Sequence, residues 1–577
     1  MTGGPGPAPR ERGKSGRPSW WFACAGCAVV VGLLLLNDTI GQSSATYDEV
    51  LYMEVAARWW RTGAQESITR VGSPLMFWKL QQAPVLWRLD RLGHGAWIDD
   101  PITHQALLLP ALRRGAMWVW LVTLLLTAGW AHAVYGPRAM ALAAWIFALG
   151  PNLLGHGGLI TMELPITACF AGALWAFWAY QQSGKRRWLL LSAAAAGLGF
   201  SCKFTAALLP GLIAAAWWLD LRPRTPMDGL RAAGRVLRGM SVYALVMLLS
   251  NALLTGFART PVSETTGEHP AIERALGPSL GPLAGRFAET PLPQDWVGFV
   301  TQLRLQGGGG PSYLLGERRM RGWWYYYLVA LAVKVPLGVW LLLAARAAMG
   351  LWPLRPARGA PADTGGGYGA SRPSSVFLVV PVLFLAVASV GSSRNYGVRY
   401  LLPVAPAVIV WLSGLAEGPR WARVLGVLGI VSLATATASV HPHELSFFNS
   451  LAGGPQGGRF ILSDSNLDWG QGARALARLQ REHPEYRDLT LYCFGATDPK
   501  HYGVVGRIHV IDAAAEYPVL PEPDAGTTFI GVSASLRWGP WGPPGFFAFI
   551  DRARPVAWTD DGTIAIYRTS DVVPKPR

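Results

Sequence analysis

The spacing of charges constrains this chain more than any other feature. Marking every Asp, Glu, Lys and Arg leaves uncharged runs at 18–37, 115–137, 139–162, 164–184, 239–258, 373–393, 400–416 and 424–443. Each is near the ~20 residues a helix needs to cross the hydrocarbon core of a bilayer. Two shorter runs, 188–202 and 204–219, are parted only by Lys203 and predict two helices meeting at a tight turn. Residues 322–345 make one more span, interrupted by Lys334. Eleven transmembrane helices result. Composition agrees: 15% of residues are charged, against about 25% in a soluble domain, and the mean hydropathy is +0.25. An intrinsically disordered chain is excluded. So is a disulfide scaffold, because five Cys in 577 residues cannot staple much. The expected fold is a polytopic α-helical membrane protein.

The first run follows a basic tail, residues 1–17, that holds Arg10, Arg12, Lys14 and Arg17. It resembles a signal peptide, but its apolar core is long and no small-residue cleavage site follows Leu36, so it reads as an uncleaved first helix. Orientation follows from basic residues in the loops. With a cytoplasmic N-terminus and eleven helices, the inner segments hold nineteen Lys and Arg, while the short outer turns hold only Lys203, Arg394 and Arg399. The C-terminus is then extracytoplasmic. The net charge of +16 therefore sits mostly on inner loops facing anionic headgroups, and implies membrane lipids as partners and no nucleic acid.

The membrane part covers 18–440, with long outer loops at 40–114 and 259–321. The first loop carries amphipathic stretches at Leu51–Trp60 and Met76–Leu89 that can lie along the membrane surface. The inner segment 347–373, rich in Gly, Pro, Ala and Arg, reads as a linker. Residues 441–577 read as an extracytoplasmic α/β domain. Strands are expected at Phe460–Leu462, Leu489–Phe494, Ile508–Ile511, Thr528–Val532 and Ile564–Tyr567. A helix is expected over Leu467–Arg481, with Asp464 or Ser465 near its N-cap.

Charges beside membrane helices are costly and mark candidate sites. Four lie on the outer side. Asp48 and Glu49 follow the first helix; a carboxylate pair there can act as a general base or hold a divalent metal. Thr46-x-x-Glu49 also spells a capping box, with Asp48 favouring the helix dipole. Glu163 stands at the membrane boundary of the fourth helix, preceded by His156, and can equally cap that helix. Lys203 can bind an anion or snorkel to the interface. Arg394 and Arg399 share one outer turn, against the positive-inside trend, and Arg suits phosphate. Acidic groups from two outer loops and basic groups from two others fit transfer from a lipid phosphate: a carboxylate deprotonates the acceptor hydroxyl while the cations stabilise the departing phosphate.

At these residues the chain resembles the GT-C superfamily of polyprenyl-phosphate-sugar-dependent glycosyltransferases, and is most similar to the protein O-mannosyltransferase and aminoarabinose-transferase branch. The resemblance rests on Asp48-Glu49, on His156 to Glu163, on Gly197 to Lys203, and on Val398-Arg399-Tyr400-Leu401-Leu402-Pro403. Tyr313 to Glu317, Trp323-Trp324-Tyr325 and Lys334 add to it. In the tail, His441 to Glu444, Phe447 to Asn449, Gly453 to Pro455 and Asp464 to Gln471 look like bacterial relatives. The resemblance implies an enzyme of the bacterial plasma membrane that moves a sugar, mannose first among candidates, from a polyprenyl-phosphate donor to a protein, glycan or lipid hydroxyl with inversion. It implies Asp48 as catalytic base, with Glu49 and Glu163 as further acidic residues, and Lys203, Arg394 and Arg399 at the donor phosphate. His156, Tyr400 and Asp468 are candidate acceptor or loop contacts. Any metal would use Asp48 and Glu163; the family motif has Asp in many members where this chain has Glu163. The first loop reads Gly72-Ser73-Pro74-Leu75 where the family usually has Pro-Pro-Leu.

Two other classes account for less of the sequence. A secondary transporter places ionisable residues near the bilayer midplane and often shows repeats; here only Lys334 falls mid-span and no repeat is visible. A membrane-anchored sensor would explain residues 441–577 but not the acidic loops.

Overall fold

A computed structural model of the chain describes residues 19–63, 76–261, 263, 289–351, 375–391, 393–512 and 526–572. The basic tail 1–17, the segment Gly72–Leu75 and residues 352–373 of the linker lie outside the described residues.

All eleven expected spans are helical, and the chain is a membrane protein by the length and apolarity of its helices. Among the described residues, six helices are long and apolar enough to cross a membrane, or eight if each of two bent pairs counts as one span. The helices Ser19–Gln42, Gln105–Tyr135, Pro226–Leu254 and Arg420–Ala438 are each unbroken and long enough to span. The run 139–162 is broken instead: Pro137–Ala148 and Pro151–Gly157 meet at 63°. The run 322–345 bends by 105° between Tyr326–Lys334 and the helix that starts at Leu337. Pro151 and Pro336 stand at these breaks, where a missing N–H and a clashing ring stop the preceding helix. The run 188–219 forms the helix Arg186–Phe200, a turn through Lys203, a 3-10 stretch Phe204–Leu208 and the helix Leu209–Leu221. The two amphipathic stretches of the first loop are the helices Tyr47–Thr62 and Met76–Arg91.

The first loop ends earlier than its charges suggest. The helix expected from residue 115 begins at Gln105 and carries Arg113 inside it, fully buried. A charge paired inside the protein does not end a span.

The tail folds as expected in outline. Strands β1 (Leu489–Phe494), β2 (Arg507–Ile511), β3 (Phe529–Ser533), β4 (Ala557–Trp558) and β5 (Ile564–Arg568) form one sheet in the order β2-β1-β3-β5-β4. β1 runs parallel to both β2 and β3, and β5 antiparallel to β3 and β4. β1 and β3 are buried on both faces, as their unbroken apolar runs require. The helix Ala473–Glu482 packs Leu476 and Ala477 with Leu489, Leu491 and Ile566.

Two expectations in this domain are corrected. Phe460–Leu462 is a turn and not a strand. The helix begins at Ala473 rather than Leu467, and Asp464–Asn466 is a separate 3-10 turn. The backbone of 463–472 is spent on tertiary contacts. Gln471 Nε2 donates to Leu467 O at 2.7 Å, and Ser44 N donates to Gln471 O at 3.1 Å. This stretch packs against the ends of the membrane helices. Lys334, the one cation expected mid-span, ties them together: its buried Nζ donates to Asn466 O at 2.6 Å and to Leu445 O at 3.1 Å.

Candidate active site

The four outer elements singled out by charge converge on one line of ion pairs. Asp48 sits in the first turn of Tyr47–Thr62, and its Oδ2 accepts from Arg399 at 2.9 Å. The same guanidinium nitrogen lies 3.4 Å from Glu163 Oε1. Lys203 Nζ donates to that oxygen at 2.9 Å. The order is therefore Asp48, Arg399, Glu163, Lys203. Exposure separates the ends from the middle. The Asp48 and Lys203 side chains are 30% and 24% exposed, but those of Arg399 and Glu163 only 7% and 3%. Arg399 and Glu163 form a floor, with a carboxylate at one rim and an ammonium at the other.

Local sequence explains each placement. Glu163 is the first residue of its helix, where the positive end of the helix dipole favours a carboxylate. Lys203 occupies the turn between two helices, which frees its ammonium from a helical flank. Arg399 follows Gly397, whose φ of +133° opens the turn. A Cβ at Gly397 would lie 2.3 Å from Ser465 Oγ, so only glycine lets this turn meet the tail. Tyr400 carries the cations on its ring, with Lys203 Nζ 4.3 Å and the Arg399 guanidinium 5.3 Å from the centroid.

Glu49 faces the other way. Both of its oxygens bind Arg113, at 2.9 Å and 2.6 Å, in a pair with no side-chain exposure. It also accepts from Thr46 N at 3.0 Å, as the capping box predicts, and from Ile160 N at 3.1 Å. Arg113 spends its other donors on Ile40 O, Ser43 O and Ser44 O. Glu49 thus joins the loop after the first helix to the one before Glu163 and fixes the helix start from which Asp48 projects. It stands apart from the ion-pair line that holds Asp48 and Glu163.

Three other expected residues also lie apart from the ion-pair line. Arg394 Nε donates to Gly309 O at 2.6 Å, which engages it with the backbone of the second long loop. The Asp468 carboxylate is taken up by the Ser533 hydroxyl, by Ser535 N at 2.8 Å and by Gly470 N at 3.1 Å. It braces the tail domain through these contacts. His156 is buried behind the site, 6.4 Å from the Trp469 ring centroid.

Asp48 and Glu163 do not converge on a shared cation position, because the Arg399 nitrogen stands between them. Among the described residues no group of three or more His, Cys, Asp or Glu is arranged to hold a metal. The donor set does not fit a metal held by these two carboxylates.

Two residues of the site were not legible from charge alone. Trp469 lies with its ring 4.0 Å from the Arg399 guanidinium, desolvating it from the tail side. Asp464, buried, faces Arg399 and Asp48 from the same tail segment. The polar run Asp464 to Gln471 was the only signal for either.

Residues 108–251 match the family described as dolichyl-phosphate-mannose-protein mannosyltransferase. The matched stretch is less than half of the chain, and over it the chain is similar to that family. The match contains Glu163 and Lys203, half of the ion-pair line. No curated protein sequence matches this chain. Among solved structures it is similar to ArnT from Cupriavidus metallidurans bound to undecaprenyl phosphate, with 14% identity and a TM-score of 0.48 over 96% of this chain and 99% of that one. It is also similar to the archaeal oligosaccharyltransferase AglB from Archaeoglobus fulgidus in complex with an inhibitory peptide and a dolichol-phosphate, with 13% identity and a TM-score of 0.45 over 96% of this chain and 75% of that one.

Proposed function

We propose that this chain is a glycosyltransferase of the GT-C superfamily that moves a sugar from a polyprenyl-phosphate donor to an acceptor hydroxyl at the outer membrane–water boundary, with inversion at the sugar carbon. The observation that carries the reading is the ion-pair line, with one partly exposed carboxylate at one rim and two cations set to receive an anion. The donor phosphate exchanges with the carboxylates for Lys203 and Arg399. Arg399 Nε is buried and makes no hydrogen bond among the described residues, which leaves it able to serve an incoming oxygen. The acceptor oxygen forms its bond to the sugar carbon as the bond to the phosphate oxygen breaks. The acceptor proton goes to Asp48, and polyprenyl phosphate departs. Asp48, Lys203 and Arg399 are the catalytic and donor-binding residues of this scheme. Glu163 positions both cations.

An apolar cavity of about 300 Å³ runs beside the site, lined by Pro336, Val339, Trp340, Leu343, Leu401 and Leu402. Leu401 and Leu402 follow Arg399 with only Tyr400 between, so an isoprenoid tail bound here would present its phosphate to that guanidinium. The family description favours mannose as the sugar. The acceptor is a hydroxyl of a protein, glycan or lipid.

Transfer is tested with purified protein and a labelled polyprenyl-phosphate mannose offered with each acceptor class; no transfer from any polyprenyl-phosphate sugar would sink the reading. Lys203→Met keeps Glu163 paired with Arg399 but removes one charged contact to the phosphate. A hydrogen bond to a charged group contributes about 1.5–3 kcal/mol, so the donor KM should rise roughly 10- to 100-fold. The acceptor KM should hold. An equal rise for both substrates would remove Lys203 from the donor site.

The reading also places the N-terminus in the cytoplasm of a bacterial cell and residues 441–577 outside the plasma membrane. A reporter active only in the cytoplasm, fused after Arg577, should be silent. An active reporter would show that the number of spans is even.

A further inference from the structure

The tail segment Asp464–Trp469 packs against the turn that carries Arg399, and it holds two buried acids, Asp464 and Asp468, of which the catalytic scheme uses neither. Asp464 has φ +57°, a left-handed conformation that few residues other than glycine adopt and that Asp and Asn tolerate best. The turn is held there from both sides. Ser465 Oγ donates to Tyr396 O, and Asn466 Oδ1 accepts from Val398 N at 3.0 Å. Asn466 Nδ2 donates to Tyr326 OH at 2.9 Å. The Asp464 carboxyl is 6% exposed and accepts from Ser465 N at 2.7 Å. Facing it are Arg399 and Asp48 from the membrane loops, Asp468 from its own segment, and the Tyr326, Tyr396 and Tyr400 phenols.

Charge arithmetic makes this third acid a problem for an anionic donor. Asp48 and Glu163 already balance Lys203 and Arg399. An ionised Asp464 leaves the group negative by one before a phosphodiester brings a further negative charge. A neutral Asp464 leaves the group balanced and offers an O–H.

We propose that Asp464 is a donor-site residue that carries a proton while the phosphodiester is bound, so that polyprenyl phosphodiesters enter only the protonated form of the site. This rests on the donor reading given under Proposed function. Burial pushes the Asp464 carboxyl up to about 7 against the pull of Arg399, so the exchange falls within the physiological range. Binding that requires the proton is at full strength below that value and weakens as pH rises through it.

The test uses the full-length protein in detergent and a short-chain prenyl methyl phosphodiester, which has no group titrating near neutrality. By linkage, affinity should be flat below about pH 6 and fall about tenfold per unit above about pH 8. Heats measured in buffers of different ionisation enthalpy should show close to one proton taken up per diester at about pH 8 and little at about pH 6. Asp464→Asn keeps a residue suited to the left-handed turn and should bind with the same affinity across the range. An Asn variant that retains the wild-type slope overturns the inference. So does wild-type protein that binds with a flat pH profile and no proton uptake, and that outcome is decisive even if the variant does not fold. Wild-type protein that binds no diester at any pH overturns the donor reading itself.

Discussion

Asp48→Asn should leave a folded, membrane-inserted protein whose sugar transfer falls about 10²- to 10⁴-fold, the usual contribution of a positioned general base. A phosphate-linked sugar already has a good leaving group, so the reaction needs no general acid. What it lacks is a proton acceptor for a hydroxyl whose pKa is far above 7. Among the acids that line the site, Asp48 is the one with a partly exposed carboxylate, at 30%, and a single charged partner. Glu163 is buried between two cations, and Glu49 is enclosed by Arg113. Asparagine keeps the size of the side chain and an oxygen for Arg399 but accepts no proton. Near wild-type transfer by a folded Asp48→Asn protein would move the base to Glu163. The measurement is initial rate at saturating donor, alongside thermal unfolding in the same detergent.

Arg113→Leu should be the most destabilising single change at this end of the molecule, costing about 3–5 kcal/mol, as expected when one partner of a buried ion pair is removed. The substitution strands the Glu49 carboxylate with no exposure and takes donors from Ile40 O, Ser43 O and Ser44 O. The Arg113→Leu/Glu49→Leu double variant should recover part of that loss, because no charge is then left buried unpaired. Glu49→Gln should cost less than Arg113→Leu and reduce activity by a smaller factor than Asp48→Asn. Unfolding midpoints of wild type, Arg113→Leu, Glu49→Leu and the double variant give the coupling between the two sites. A double variant no more stable than Arg113→Leu alone would show that Arg113 acts through the three carbonyls rather than through Glu49.

How legible these features were depended on where each residue finds its partners. The eleven helical segments followed from composition, since lipid admits a backbone only when its polar groups are paired within the segment. The division of labour between Asp48 and Glu49 was half legible too. The capping box at Thr46 and Glu49 is a local pattern, and it turns Glu49 inward wherever that helix begins. Charge counting failed wherever a charge is paired inside the protein. Arg113 falls within the charge-bounded loop 40–114 yet lies inside a helix, and Arg394 shares a turn with Arg399 yet is bound to Gly309. Phe460–Leu462 has the apolar residues of a strand, but its backbone is folded into a turn beside the 3-10 turn at Asp464. The sequence by itself therefore determined the helices, the strands β1, β2, β3 and β5, and the polar loops that carry the candidate acids and cations. Tertiary structure alone decided which of them meet. Arg399 reaches Asp48 across 351 residues of chain and Glu163 across 236. No local periodicity encodes such a pairing, which depends on how helices pack and on the tail segment that shields the site from water.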